Sequence, residues 1–302
     1  MAAHPLMTKS LDALNDSVHG VTGMAYRTIV VSLNDVARVE AMVSSAALIA
    51  ETCNAHLIGC YVIPAVKIYP EVGFAAASAI DDSWQQYFKE NAPSVRVRFE
   101  EKLRQSGVSG EFRVVNSRYT EWAPSLVEQG RLADLIIVSQ TTRNLATHVE
   151  PGFVESVVMD SGRPVLIIPD KAVFAGVKSA VIGFNATREA ARTLFDAMPL
   201  LQNATDVRII WVDPYRDRDA AGEVPGAEAA VSLARHGVKA TAEGLTAGGG
   251  NAGEALLQRA NDLGSELLVM GAFAHSRMRE YIFGGATQHV LAHANIPVLM
   301  SH

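Results

Sequence analysis

Short apolar runs alternate with longer segments of helical spacing along this chain. Arg27–Asn34 (RTIVVSLN) and Ala55–Pro64 (AHLIGCYVIP) are almost entirely apolar. Runs of this length without polar alternation are typical of strands that are buried on both faces. The stretch between them, VEAMVSSAALIAETCN, spaces its apolar residues as a helix does. Strands that alternate with helices in this way predict an α/β fold with a parallel, doubly wound sheet.

The same pattern occurs a second time. Ser179–Asn185 (SAVIGFN) repeats the first strand, including the asparagine at its end, and a second alanine-rich helical segment follows. DLIIVS at 134–139 corresponds to ELLVMG at 266–271, and both units close on Pro-Val-Leu, at Pro164 and Pro297. The repeat predicts two such domains in tandem, related by a pseudo-twofold axis. We place them at 26–170 and 177–302, after a mobile leader at 1–25.

The first unit carries an insertion between its second and third strands. From Asp81 to Gln105 the pattern predicts a long amphipathic helix. Its apolar stripe comprises Trp84, Tyr87, Phe88, Val95, Phe99 and Leu103. Since aromatic side chains are usually buried, we expect the stripe to pack on its own sheet rather than to hold a cofactor.

Composition narrows the classes of function. The 302 residues are 49% hydrophobic and 19% charged, with a net charge of −6. This balance argues against a nucleic-acid surface, which needs a basic face. No apolar run reaches the roughly 18 residues that would span a bilayer. The two cysteines, Cys53 and Cys60, are expected to stay reduced on a helix end and a strand, which favours the cytoplasm.

The end of the second unit predicts a place for an anion. Gly271 ends an apolar strand, and Gly284-Gly285 precede a helical segment. Glycines let the backbone approach an anion, and the N–H groups of a helix's first turn point toward it. Ligands of such sheets bind beyond the carboxyl ends of the strands. Glycine-rich strand exits also occur for packing reasons alone, so both interpretations stay open here.

The stretch 271–302 resembles the signature of the universal stress protein family, whose ATP-binding members carry G-x2-G-x9-G-[S/T] after the fourth strand. Gly271 and Gly284 match the first and third glycines, whereas Ala274 and Gly285 replace the second glycine and the hydroxyl residue. The resemblance covers 26–302. It implies the family's adenine-nucleotide-hydrolase-like α/β sandwich, with strands usually ordered 3-2-1-4-5.

The resemblance also implies a site for ATP or another adenine nucleotide in the second unit. Asn185 stands where family members carry an acidic residue that reads adenine, and an amide can still donate to and accept from that edge. The backbone of Val212 would contact the ring or the ribose. The phosphates would be lined by Gly271, Ala274, Gly284, Gly285 and Thr287. Thr187 is a candidate contact, although a helix N-cap is its more ordinary role.

Charged and metal-binding groups add little to this site. Arg277 is an open candidate for a phosphate clamp. His289 and His293 have a metal-capable spacing on a helix, but no third ligand is evident. We therefore predict no metal beyond a nucleotide-bound Mg²⁺.

The first unit matches the signature less well. Ser139 and Thr142 replace its first two glycines, and Gly152 alone matches the third. Phe153 follows, and Glu150 adds a negative charge that opposes phosphate. We interpret this half as a degenerate site that keeps the fold.

The sequence contains no nucleophile elbow, Walker lysine, CxxC or HExxH, and it offers no positioned general base. We therefore expect no catalytic residues and a non-catalytic protein of stress response, regulatory or protective, that senses adenine nucleotide through its second domain. A slow ATPase or nucleotide hydrolase and a nucleotide-free interaction scaffold remain alternatives. By analogy with the family, the two units pair through their last strands as an internal pseudo-dimer. A further homodimer and an unknown protein partner are also expected; nucleic acid and membrane are not.

Overall fold

The computed structural model describes residues 25–65, 74–140, 150, 152–213, 226–272, 274–275 and 282–302, with the backbone alone over 74–84, 274–275 and 282. The predicted leader lies outside the described residues, except for residue 25. No described helix combines the length and the apolar character that a membrane crossing requires.

The elements of the first half follow the predicted alternation. They are β1 (Thr28–Ser32), a 3₁₀ turn (Val36–Arg38), α1 (Val39–Cys53), β2 (His56–Ile63), α2 (Phe74–Ser106), β3 (Gly110–Asn116), α3 (Ala123–Gly130), β4 (Leu135–Ser139), α4 (Phe153–Asp160) and β5 (Val165–Ile168).

The second half repeats this order with a shorter first helix, one additional short helix and one additional hairpin. Its elements are β6 (Ser179–Gly183), α5 (Arg188–Asp196), α6 (Met198–Leu201), β7 (Asp206–Val212), α7 (Ala227–Arg235), β8 (Ala240–Leu245), α8 (Ala252–Asp262), β9 (Leu267–Gly271), β10 (Ala274–His275), β11 (Ile282–Phe283), α9 (Gly285–His293) and β12 (Val298–Ser301).

Ten of these strands form one continuous sheet, in the order β3-β2-β1-β4-β5-β12-β9-β6-β7-β8. Within each half the neighbouring strands run parallel, and each half has the order 3-2-1-4-5 when its strands are counted from its own first. The halves meet where β5 and β12 pair antiparallel. The predicted α/β fold and the pairing through the last strands are confirmed.

The register across this junction shows the pseudo-twofold relation. Leu166 lies opposite Leu299, its counterpart in the repeat, so the axis passes between them. In the centre of the first half, Ile136 pairs with a β1 residue on one side and a β5 residue on the other. Leu268 has the corresponding partners in β6 and β12. The two strands therefore occupy equivalent central positions.

The core is continuous through both halves, because the central strands are buried on both faces. The predicted stripe on α2 joins it: Phe88, Val95 and Phe99 are fully buried. A Cβ added at Gly59 would lie 2.7 Å from the Phe99 ring, so this glycine lets α2 pack directly on β2. The side chain of Trp84 lies outside the described residues.

Hydrogen bonds also cross between the halves. The Tyr26 hydroxyl donates to the Asp196 carbonyl (2.6 Å), and Gln140 Nε2 donates to the Leu291 carbonyl (2.8 Å). Since core and contacts run across the junction, the limits of the two domains remain a prediction.

Candidate functional site

The candidate sites lie where the strands of each half end at their carboxyl ends. Because β5 and β12 run antiparallel, the strands of the two halves point in opposite directions. The exits of β1 and β4 therefore lie at one edge of the sheet, and those of β6 and β9 lie at the opposite edge.

In the first half, the side chain of Asn34 closes the exit of β1. Asn34 is buried; its Nδ2 donates to the Val62 carbonyl (2.7 Å), and its Oδ1 accepts from the Val62 N–H (3.0 Å). Leu33 N–H donates to the Cys60 carbonyl, so the backbone groups of Cys60, and by alternation those of Val62, face β1. The carboxamide thus continues the ladder for one residue after β1 has ended.

Arg38 binds the carboxyl ends of the neighbouring strands β4 and β5. Arg38 Nη1 donates to Ser139 Oγ (2.9 Å) and to the Ile168 carbonyl (3.0 Å), and its Nη2 donates to the Ala172 carbonyl (2.9 Å). Asp170 lies 3.7 Å from Nη1. Because most of its donor capacity is satisfied by the chain itself, Arg38 stabilises this exit rather than leaving a charge available for a ligand.

Burial shapes the electrostatics of this cluster. It raises the pKa of Asp35, while the nearby Arg38 and the Ser139 hydroxyl oppose that shift. Burial also lowers the pKa of Arg38, against the attraction of Asp170 and Asp35. The cluster is therefore a partly buried ionic network whose members compensate one another's desolvation.

Aromatic rings cover the same exit. The Phe88 ring lies 6.1 Å from Tyr61 and 5.1 Å from Trp122, and Trp122 lies 5.8 Å from Phe153. The Tyr61 hydroxyl and the Trp122 indole N–H are buried without a hydrogen-bond partner in the part of the chain that the structure describes.

The carboxylate of Glu150 binds the N-terminal end of α3. One carboxylate oxygen accepts from the Trp122 N–H (2.8 Å). Burial raises the pKa of Glu150 to about 7, against the effect of the Trp122 and Ala123 N–H groups, and nearby Glu121 raises it further. The negative charge expected here from the sequence thus serves a helix end, and at neutral pH it is only partly ionised.

The second half is arranged differently at the equivalent strand. Asn185 is exposed, and its Oδ1 accepts from the Thr187 hydroxyl (2.9 Å) and N–H (3.4 Å). Thr187 in turn caps α5 by accepting from the Ala190 N–H (3.3 Å). No described side chain bonds the N–H or the carbonyl of Val212, the counterpart of Val62.

Backbone strain marks this exit. Ala186 has φ +55°, and Asp213, which directly follows Val212, has φ +50°. Left-handed backbone at a residue other than glycine costs about 1–2 kcal/mol. Asp213 is held by its own N–H on the Leu245 carbonyl (2.8 Å) and by its Oδ1 on the Ala247 N–H (2.9 Å). Such strain clusters at binding sites, and nothing in the sequence signalled it.

The glycine at Gly271 is explained by packing. A Cβ at this position would lie 2.6 Å from the Ala190 nitrogen and 2.9 Å from Glu189 Cβ. The first turn of α5 can therefore approach β9 only because Gly271 has no side chain. The phosphate role predicted for this residue stays a prediction.

The first turn of α9 is the predicted phosphate position. Gly284 precedes it with φ −61° and ψ 152°, a conformation open to any residue, and no side chain caps the helix. Its backbone N–H groups are thus oriented for an anion. Thr287 is buried, with 1% of its surface exposed, so a ligand at the helix end would meet its backbone rather than its hydroxyl.

Asn251 positions this turn, and sequence reasoning missed it. Its Nδ2 donates to the Gly285 carbonyl (3.0 Å), and its Oδ1 caps α8 by accepting from the Gly253 N–H (2.8 Å). A Cβ at Gly253 would lie 2.3 Å from the Ala286 carbonyl oxygen, so the two helix ends are closely packed. An asparagine after three glycines and before a helical segment is an N-cap signal that could have identified it.

Other predicted residues receive less support from geometry. Ala274 lies in β10, opposite Phe283 of β11, and its extended backbone tolerates a methyl group. Arg277 and Thr142 lie outside the described residues. His289 and His293 stack on each other at 4.3 Å, and in the described part of the chain no three His, Cys, Asp or Glu side chains converge as metal ligands.

These features define the class: a tandem doubly wound α/β protein with candidate sites at its strand exits. The model of the universal stress protein family matches residues 186–302. The second half of the chain is therefore similar to that family, and the first half repeats the same fold. Comparison with curated proteins finds no match.

Two solved structures that span both halves agree on the fold. A universal stress protein from Archaeoglobus fulgidus DSM 4304 has a TM-score of 0.64 at 14% identity, over 91% of this chain and 97% of that one. A protein of unknown function from Pseudomonas aeruginosa PAO1 has a TM-score of 0.53 at 18% identity, over 92% of both. The universal stress protein from Archaeoglobus fulgidus in complex with dAMP has a TM-score of 0.31 at 18% identity, and the match covers 48% of this chain and 98% of that one.

Proposed function

We propose that this protein is a non-catalytic member of the stress response that senses an adenine nucleotide through its second half. One observation carries the proposal. In the first half, the Asn34 carboxamide donates to and accepts from the backbone of Val62. An adenine edge offers the same donor and acceptor pair through its amino group and ring nitrogen. Among the described residues, no side chain binds the equivalent backbone at Val212 in this way.

The remaining parts of a nucleotide have places along the same edge. The base contacts Val212, and the phosphate meets the first-turn N–H groups of α9, behind Gly284 and Gly285. The backbone angles of Gly284 are open to any residue, so they do not explain why a glycine stands there. Close approach of a ligand to the backbone would explain it. Asn251 holds that turn through the Gly285 carbonyl.

A regulatory role is favoured over turnover. The described residues near the exit provide no general base or metal cluster aimed at a phosphate. Glu189 is buried against Gly271 and is paired with Arg188. Its pKa lies below the usual value because the Arg188 interactions outweigh burial, which acts to raise it. A slow ATPase is the second candidate if turnover is measured, and an interaction scaffold is the third if no nucleotide binds.

The test is mass spectrometry of small molecules released from freshly purified protein, followed by calorimetry with ATP and AMP in the presence of Mg²⁺. We expect an adenine nucleotide at one site per chain. Nucleotide-free protein that also gives no heat with either compound would favour the scaffold. Release of phosphate at rates of enzymatic turnover would favour the hydrolase.

Asn34→Ala tests the observation on which the proposal rests, the pair of hydrogen bonds between Asn34 and Val62. It removes both hydrogen bonds to Val62 in the first half and leaves Val212 untouched. We expect a loss of about 1–3 kcal/mol in the free energy of unfolding, as for a buried polar group left without its partner. The ATP affinity of the second half should not change. A fall in that affinity would mean that the observed site lies in the first half.

A further inference from the structure

The same residue type stands at the same place in both halves, but the two copies are used differently. Asn34 comes two residues after Ser32, which pairs with Cys60 in the β1–β2 ladder. Asn185 comes two residues after Gly183, which pairs with Ile210 in the β6–β7 ladder. Val62 and Val212 likewise lie two residues beyond those partners. An asparagine in this register can therefore reach the neighbouring backbone, as Asn34 does.

We propose that Asn185 is a built-in competitor for the base in the second half. Its carboxamide alternates between the outward position on Thr187 and an inward position on the Val212 backbone, equivalent to that of Asn34. Only the outward position admits a ligand. This inference rests on the proposed function, and it concerns the regulation of that same site.

The energies of the two positions are close enough for an exchange. Outward, Asn185 is exposed, and its bonds to Thr187 compete with water. That position also coincides with the left-handed backbone of Ala186, which costs about 1–2 kcal/mol. Asp35, the counterpart of Ala186, has an ordinary φ of −78° beside the inward Asn34. In the inward position, two buried hydrogen bonds between Asn185 and the Val212 backbone offset the loss of the contacts with Thr187 and of the cap geometry of α5.

The consequence is a reduced apparent affinity. A ligand that binds only the outward state has its affinity lowered by the fraction of molecules in that state. Because the two positions are close in energy, about half of the molecules are outward, and Asn185→Ala, which removes the competitor, should tighten ATP binding roughly twofold. Thr187→Ala removes the outward partner and should weaken binding by a similar factor. The double variant should bind like Asn185→Ala alone, because the competitor is then absent in either background.

Thr187→Ala also removes the cap of α5, and the double variant controls for that loss. If the cap alone mattered, Thr187→Ala would weaken ATP binding equally with and without Asn185. Equal factors in the two backgrounds would overturn the proposal. Weaker binding by Asn185→Ala would overturn it as well, since Asn185 would then be a contact to the base, while the proposed function would stand.

A second measurement needs no nucleotide. In the ligand-free protein, amide hydrogen exchange at Val212 should accelerate in Asn185→Ala and slow in Thr187→Ala. Exchange at Val62 is the internal reference: Asn34→Ala should accelerate it, and the Asn185 variant should not. If exchange at Val212 is the same in the wild type and in both variants, the inward position does not exist. If the pattern appears but ATP does not bind, the competitor stands and the nucleotide proposal falls.

Discussion

Equivalent positions in the two halves of this molecule carry different chemistry. Asn34 is buried on the Val62 backbone, whereas Asn185 faces solvent and binds Thr187. The second half carries an acid, Glu189, at the position that Arg38 has in the first half. At the residue before the last helix of each half, Gly152 has φ +77° before α4, whereas Gly284 has φ −61° before α9. The sheet is the same in both halves, so the fold alone does not decide which exit accepts a ligand.

The first half shows how the side chains of the protein itself can close the exit of a strand. In the first half, the Asn34 carboxamide, the Arg38 guanidinium and a cluster of aromatic rings lie at this end of the sheet. Each of these groups is satisfied by neighbouring backbone or side chains, apart from the Tyr61 hydroxyl and the Trp122 indole N–H. In the second half, no described side chain binds the corresponding backbone groups of Val212.

The largest effect is expected at the helix end of the second half. Gly284→Glu introduces a carboxylate and bulk against a phosphate, so ATP affinity should fall more than about a hundredfold, or about 2.7 kcal/mol. The backbone of Gly284 is in a conformation that glutamate adopts, and an acid suits a helix N-terminus, so the fold should persist.

The control for Gly284→Glu is Gln288→Glu, which adds the same charge on the exposed side of the same helix. Titration calorimetry of both variants makes the comparison. Equal affinity for Gly284→Glu and the wild type would put the pocket elsewhere.

The second prediction concerns pH and the first half alone. The folded pKa of Glu150, about 7, lies above the ordinary 4.5, so its protonated form is favoured by folding. The stabilisation is complete below pH 4.5 and is lost as pH rises to about 7. Over that window the wild type should lose on the order of 2–3 kcal/mol relative to Glu150→Gln.

Urea unfolding of the wild type and Glu150→Gln at several pH values from 4 to 8 measures this difference. Glu254→Gln, in the first turn of α8, is the matched change in the second half, where neutral Asn251 caps the helix. A difference between wild type and Glu150→Gln that does not vary with pH would contradict the assignment.

The third prediction separates a packing glycine from a binding glycine. Gly271→Ala places a methyl group 2.6 Å from the Ala190 nitrogen, which should lower the free energy of unfolding by about 1–3 kcal/mol. Gly285→Ala meets only Asn251 Nδ2, at 3.4 Å, and should cost less than about 0.5 kcal/mol. Thermal or chemical unfolding decides between them; similar losses in both variants would remove the distinction.

The smallest effect is a gain. Ala274→Gly together with Gly285→Ser restores the family's signature, adding backbone freedom and a hydroxyl near the phosphate. One recovered hydrogen bond beside a charged group is worth about 1.5 kcal/mol, so ATP should bind roughly tenfold tighter. The 3.4 Å spacing to Asn251 leaves room for the serine with a small adjustment. Unchanged affinity in calorimetry would show that the departures from the signature do not limit binding.

The sequence predicted the fold because its signals are local and repeated. Apolar runs marked β1, β4, β6 and β9, and the resemblance to the family implied the pairing of the last strands. The hairpin of β10 and β11 was not predicted, because strands of two residues leave no periodic pattern in the sequence. The aromatic stripe of α2 was placed correctly because a 3–4 spacing survives whatever the helix packs against.

The site was less accessible to sequence reasoning. Nothing in the residue type distinguishes Asn34 from Asn185, because their partners are set by backbone angles and by neighbours distant in the chain. The left-handed φ of Ala186 contradicts the ordinary preference of alanine and could not be read in advance. Gly271 was assigned to the phosphates, and the contact with α5 that explains it comes from the other end of the unit.

The antiparallel seam between β5 and β12 has a consequence for how such a protein can diverge. A homodimer joined at this seam would carry every residue twice, so any change at one strand exit would be repeated at the other. Here both partners of the seam are encoded in one chain, and their association does not depend on protein concentration. The side chains at one exit can thus change without a matching change at the other, as the buried Asn34 and the exposed Asn185 show.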